Sequence, residues 1–172
     1  LTTSLNNIHK DLLIAIELVY QQCKVECTLP IADAESADYA AFTFKINKLT
    51  VKYRAAKITP SKTGQFVTLW KREKDGPIQP FHAADDIDIF IVSTRQENRL
   101  GQFIFPKIAL LKHGILSDAN KEGKRAIRVY PPWDSATSKQ AQKSQQWQLN
   151  YFLELQPVPA IDLQQAKKLL FL

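Results

Sequence analysis

The sequence has no methionine, and its 172 residues include only five glycines and two cysteines. Without a methionine, position 1 is not the expected start of translation. So few glycines leave no phosphate-cradling loop: neither G-x-x-x-x-G-K-[ST] nor G-x-G-x-x-G occurs, and G-x-S-x-G is absent as well. P-loop, dinucleotide-binding and serine-hydrolase chemistries of those types are thereby excluded. Cys23 and Cys27 are too few for a disulfide framework and lack the two further ligands of a structural zinc site. His9, His82 and His113 stand singly, with no ligand spacing. The cysteines therefore read as reduced thiols, and neither a metal nor a cofactor is expected. Long hydrophobic runs are missing too. The apolar stretch Leu12 to Ile16 stops at Glu17, far short of the ~20 residues of a membrane span. It has no basic flank and no small-residue cleavage site, so no signal peptide is expected and the expected location is cytoplasmic.

What is present is the balance of one soluble domain, residues 1–172, with 45% hydrophobic and 23% charged residues. A chain of this length buries roughly 70% of its unfolded surface, enough for a core without staples. The net charge is +6, but its distribution says more than its sum. Between Thr43 and Lys74 nine Lys and Arg face the single acid Glu73, a local excess of +8. A second basic stretch, Lys107 to Lys143, carries +5, and the acids Asp85, Asp86 and Asp88 lie between the two. On one face of a fold these segments would make a positive field suited to a polyanion; dispersed, they merely solvate the surface.

Hydrophobic periodicity places these charges on elements. Leu5, Ile8, Leu12, Leu13, Ile16, Val19 and Tyr20 recur at helical spacing, predicting an amphipathic helix over 3–24 with Thr3 or Ser4 near its cap. Alternation predicts strands over 40–46 and 49–59 around an Asn47-Lys48 turn, and a third over 65–72 after the turn from Pro60 to Gly64. Strands follow at 88–93 and 101–105, joined by a polar loop around Arg95 to Arg99. Pro106 then opens a short helix that ends at His113-Gly114. A strand at 126–130 runs into Pro131-Pro132, a Gln-rich helix covers 138–151, and a last helix covers 163–171. This order predicts a mixed α/β (α+β) fold, a central mixed sheet flanked by helices. In a single strand over 49–59, Leu49, Val51, Tyr53, Ala55 and Lys57 share one face and Lys52 and Arg54 the other. Trp70 beside Lys71 and Arg72 supplies aromatic surface interleaved with cations, or plain core.

The string YRAAKITPSKTGQFVTLWKR at 53–72 resembles the MepB family of bacteria. GPIQPF at 76–81, GQFIFPK at 101–107, GKRAIRVYPPW at 123–133 and QAQKSQQWQLNYF at 140–152 carry the same resemblance, which extends over residues 39–152. It implies a restriction-endonuclease-like, PD-(D/E)xK-type fold, an association with a multidrug-efflux operon and drug response, and nucleic-acid binding without the catalytic acids. Lys57 occupies a position suited to the lysine of that nuclease pattern, but Ala55 stands two residues before it, where a metal-binding acid would be needed. No carboxylate occurs upstream in the hairpin until Asp38. A non-catalytic protein is thus expected, binding nucleic acid through Lys52, Arg54, Lys57, Lys62, Lys71, Arg72, Arg125 and Arg128, with Trp70, Trp133 and Tyr130 to stack bases. The double proline before Trp133 predicts that it is exposed. Lacking a recognition-helix or zinc-finger pattern, the chain is expected to prefer single-stranded DNA or RNA to duplex. Two alternatives stand beside this one: an active nuclease in which Asp85, Asp86 or Asp88 restores a metal site near Lys57, and a protein-interaction or ligand-sensing module.

Overall fold

Two clusters of buried side chains, on opposite faces of one sheet, organise the chain. The computed structural model describes residues 6–156 and 159–171. Helix α1 (Lys10–Ala15) continues through π turns over Ile16–Tyr20. Its stripe of Leu12, Ala15, Val19 and Tyr20 is fully buried, as its helical spacing requires. The helix is shorter than the predicted 3–24. His9 caps it, its Nδ1 accepting the Asp11 N–H at 3.3 Å, while Thr3 and Ser4 lie outside the described residues.

The strands are β1 (Ile31–Ala32), β2 (Phe42–Ile46), β3 (Leu49–Ala55), β4 (Lys57–Thr59), β5 (Lys62–Thr68), β6 (Trp70–Lys71) and β7 (Gln79–Pro80). They continue with β8 (Ile89–Gln96), β9 (Arg99–Pro106), β10 (Ala126–Val129) and β11 (Phe152–Glu154). The remaining helices are α2 (Lys107–Lys112), α3 (Lys139–Gln148) and α4 (Leu163–Leu169). Six strands form the main sheet in the order β1-β2-β3-β8-β9-β11. Only β3 and β8 pair in parallel, so the sheet is mixed and the α/β fold holds as expected. One face, with Phe44, Tyr53, Ile91 and Ile104, packs on α1 and α4. The other, with Phe90, Val92, Phe103 and Phe105, packs on α2 and on a three-stranded sheet, β10-β5-β4.

That second sheet corrects the sequence reading. The predicted strand 49–59 breaks at Ala56, whose N–H makes the last bond to the Ser93 carbonyl of β8. Beyond it the hairpin turn brings β5 back antiparallel on residues 57–59, and these pair with β5 instead. Lys57 therefore does not end the apolar face of Val51 and Tyr53. The predicted strand 65–72 divides likewise: Leu69 is buried and bonds the Arg125 carbonyl, and Trp70–Lys71 turn away to pair with Gln79–Pro80. The polar loop expected at 95–99 is only a tight turn, because β8 and β9 pair as far as Gln96 and Arg99, with Glu97 in the left-handed region at φ 54°.

Polar side chains inside the first face satisfy one another. Tyr20 donates to Gln102 at 2.8 Å, and Tyr53 and Gln102 both donate to Ser93 Oγ at 2.8 and 3.1 Å. Burial raises both phenols' pKa, so they act as neutral donors. Asp11 is held by Arg95, with Nη2 at 2.6 Å from Oδ1. Cys23 and Cys27 are free, and burial lifts the Cys27 thiol to about 11, which leaves it unreactive.

The glycine opening the 123–133 block has a packing reason. A Cβ on Gly123 would press on the backbone of Ile115, Leu116 and Ser117, which cannot yield as a side-chain tip can. Gly123→Ala is expected to lower stability by about 1–3 kcal/mol, the range for overpacking. An unchanged urea midpoint would contradict this close approach.

Candidate functional site

The outward face of the small sheet carries cations and aromatic rings side by side. Lys57 lies directly opposite Phe66, and Phe66 directly opposite Arg128, on three adjoining strands. Because Val67, Leu69, Ile127 and Val129 point into the core, strand alternation turns this row outward. Tyr39 meets Phe66 edge-on, with centroids 6.1 Å apart. The Lys57 ammonium sits 4.7 Å from the Tyr39 centroid, and the Arg128 guanidinium 5.9 Å from that of Phe66. Arg128 also donates to Thr59 Oγ1 at 2.7 Å and to the carbonyls of Thr63 and Gly64 at 3.4 and 3.3 Å. It thus braces the turn that presents Lys62.

Helix α3 closes the other side. It is held less by an apolar stripe than by glutamines. Gln148, 2% exposed, accepts the Tyr130 N–H and donates to the Arg128 carbonyl, both at 2.9 Å. These groups lie on the free edge of β10, so one side chain completes the edge as a neighbouring strand would. Gln145 donates to the carbonyls of Pro131 and Asp134 at 3.1 and 2.8 Å, fixing the incoming loop. Ser138 caps the helix by accepting the Ala141 N–H at 3.1 Å. Trp147 packs on Phe105 with centroids 5.4 Å apart and stacks on His113 at 4.0 Å and 8°.

Between sheet and helix runs an open groove of about 1160 Å³. This exceeds the ~300–1,000 Å³ of ordinary small-molecule sites. Lys62, Lys124, Arg128, Lys139 and Lys143 line it, and no Asp or Glu does. Phe66, Tyr130, Trp147 and the His113 ring add flat surface. Burial, and then Lys112, lowers the His113 pKa, so the ring is neutral near pH 7. Chemically the groove offers several phosphate partners and stacking faces along one line.

Of the eleven residues singled out from sequence, Lys62, Arg128 and Tyr130 line this groove and Lys57 lies beside it. The other seven lie elsewhere. Lys52 and Arg54 converge on Asp33 at 3.2 and 3.1 Å, between the layers, with Lys52 also donating to Thr43 at 2.8 Å. Arg54 is 2% exposed, its Nε has no partner among the described residues, and burial pulls its pKa down against the pull of Asp33. Lys71 pairs with Asp85 at 2.6 Å, Arg72 with Glu35 at 3.0 Å, and Arg125 with Glu122 at 2.7 Å. Trp70 is partly buried, with the Arg72 guanidinium 5.6 Å from its ring. Trp133 is also partly buried rather than exposed: it packs edge-on against Phe152, centroids 5.7 Å apart, and its Nε1 is buried. The double proline bends the chain inward there. Missed by the sequence reading were Phe66, His113, Lys124, Lys139, Lys143 and Trp147. The spacing of Lys139 and Lys143 by four residues on a predicted helix was the available signal.

Two of the three central acids are committed elsewhere. Asp88 accepts the Thr50 N–H at 2.8 Å, where β8 meets the start of β3. Lys57 lies beyond the far end of β3, and Thr50 to Ala55 alone spans about 17 Å at ~3.3 Å per residue. Metal coordination needs ~2.0–2.6 Å. Asp85 accepts from Lys71 and from the His82 N–H at 2.6 and 2.7 Å, and Asp86 is exposed. Among the described residues no group of three or more His, Cys, Asp or Glu is placed to hold a metal ion, and no helix is long and apolar enough to cross a membrane.

A family model described as MepB-like matches residues 33–154. A solved structure described as the crystal structure of MepB is similar at 32% identity with a TM-score of 0.74, over 85% of this chain and 97% of that one. No curated protein matches.

The groove depends on the Gln148 bonds. Gln148→Ala leaves a buried N–H and a buried carbonyl without partners and is expected to cost about 2–3 kcal/mol. The exposed neighbour Gln146→Ala should change stability by less than ~0.5 kcal/mol. Equal urea midpoints for the two variants would show that Gln148 does not hold the helix.

Proposed function

The chain belongs to the MepB-like family, and from that premise we propose that it is a non-catalytic nucleic-acid-binding protein whose ligand lies in the groove between the small sheet and α3. The observation that carries this reading is the set of five cations without a carboxylate, on a surface that also presents aromatic rings. Paired cations elsewhere contribute little, because each already has its counter-charge. The function thus moves from most of the residues first chosen to Lys62, Arg128, Lys124, Lys139 and Lys143, with Lys57 at the rim. Single-stranded DNA or RNA is the favoured form. A sheet face with an outward aromatic flanked by cations accepts splayed bases, whereas α3 is fastened down along its length and is not free to enter a major groove. The restriction-endonuclease-like character implied by the resemblance belongs to this proposal as a scaffold for binding rather than cleavage: Ala55 stands two residues before Lys57, Asp88 lies at the other end of β3, and no group of three or more possible metal ligands occurs among the described residues. The same proposal places the protein in the cytoplasm and connects its binding to drug response.

The test is a salt titration of affinity for a labelled single strand. The logarithm of affinity should fall linearly with the logarithm of salt, and the combined change Lys62→Ala, Lys139→Ala and Lys143→Ala should reduce the slope by about 2, at ~0.7 per lost phosphate contact. Lys71→Ala, which removes a paired cation, should leave the slope unchanged. A slope that the triple variant leaves intact, or tighter binding of duplex DNA of equal length, would contradict the proposal. No strand should be cut in Mg²⁺ or Mn²⁺.

A further inference from the structure

The groove's aromatic end carries a feature that phosphate binding alone does not use. His113 is the residue that ends α2, followed by Gly114 in the left-handed region at φ 67°. Its ring lies flat on Trp147, 4.0 Å away at 8°. Trp147 is in turn backed by Phe105 and by Tyr151, at 5.4 and 6.4 Å between centroids. The order from core to groove is thus Phe105, Trp147, His113. Each inner ring is covered by the next, and the helix that carries Trp147 is fastened by Gln148. His113 itself is exposed, and its side chain makes no hydrogen bond to protein among the described residues. The imidazole has one face on the indole, and the residue is exposed and lines the groove, which leaves its other face open to a ligand there.

We propose that the outer face of His113, backed by Trp147, seats one unpaired base of a single strand whose phosphates follow the groove lysines. This inference rests on the nucleic-acid reading and deepens it. A flat ring fixed from behind loses little freedom on binding, and every base has a π-face to offer it, so the seat is tolerant of sequence. The neutral ring contributes by stacking and not as a phosphate partner. Its contribution is therefore independent of salt, whereas that of the lysines is not. The two kinds of contact are separable by experiment.

The experiment compares a labelled single-stranded DNA of about 12 nucleotides, within the ~4–16 typical of single-strand sites, with a strand of equal length made wholly of abasic residues. Both are titrated at about pH 8, above the ordinary imidazole range, against the wild-type chain, His113→Ala and His113→Phe. His113→Ala should bind the normal strand ~5- to 150-fold more weakly, the equivalent of one lost base stack of 1–3 kcal/mol. It should bind the abasic strand as the wild type does and keep the same salt slope. His113→Phe, which restores a flat ring, should recover most of the loss. Equal weakening on both strands, a changed salt slope, or a phenylalanine variant no better than alanine would overturn the stacking seat while leaving the groove reading in place. A wild-type chain that binds neither strand would overturn both.

Discussion

Gln148 joins the last turn of α3 to the free edge of β10, and the groove exists because of that contact. A helix of ten residues with glutamine, lysine and serine on most positions has little apolar surface to bury. Without tertiary contacts, such a helix is too short to be stable in water. Its place is set by hydrogen bonds whose partners are backbone groups, and a buried backbone group without a partner is costly. The penalty for losing register is thus built into the sheet edge. Lys139, Lys143 and Trp147, four residues apart in turn, then lie in one row along α3 on its groove side, with Trp147 stacked on His113. Fold and site share this one device.

A second constraint is how the acids are distributed. Asp33 draws Lys52 and Arg54 inward, and Asp85, Glu35 and Glu122 occupy Lys71, Arg72 and Arg125. Desolvating Arg54 is tolerable because Asp33 stands 3.1 Å away, and the bond to the Tyr53 carbonyl at 2.9 Å adds to it. The pairs take four of the nine cations of the segment 43–74, Lys52, Arg54, Lys71 and Arg72, and no ion pair among the described residues involves the groove's Lys62, Lys124, Arg128, Lys139 or Lys143. Five cations outside those pairs thus gather at a place that no single run of sequence marks, and a cluster of like charges is what attracts a polyanion.

Much of the architecture was legible in the sequence. The buried stripe of α1 and the alternation of β2 and of β3 follow from period, while β8 and β9, buried on both faces, stand out as short apolar runs. Pro106 and Gly114 mark the ends of α2, and the five blocks at 53–152 point to the family. What was not legible depends on long-range partners. The run from Leu49 to Thr59 slips its alternation at Ala55-Ala56, so that Lys57 falls on the phase of Val51 and Tyr53, but a slip alone does not say whether the strand bulges or leaves the sheet. Only the return of β5 decides it. The two-residue strands β1, β6 and β7 are too short to show a period, and β11 follows directly on a helical pattern. For the site, a count of cations could not tell Lys52, which meets Asp33 nineteen positions away, from Lys62, which meets none. The stack of His113 on Trp147 spans 34 positions and leaves no mark on either segment.

The most direct measurement is photocrosslinking of a single strand carrying a photoreactive base, followed by identification of the attached peptides by mass spectrometry. The account predicts attachment concentrated on residues 57–66, 113–128 and 139–147, the three segments that converge on the groove, and suppressed by excess unlabelled strand. Attachment concentrated instead around Lys52, Arg54, Lys71 and Arg72, with the groove segments unlabelled, would contradict it.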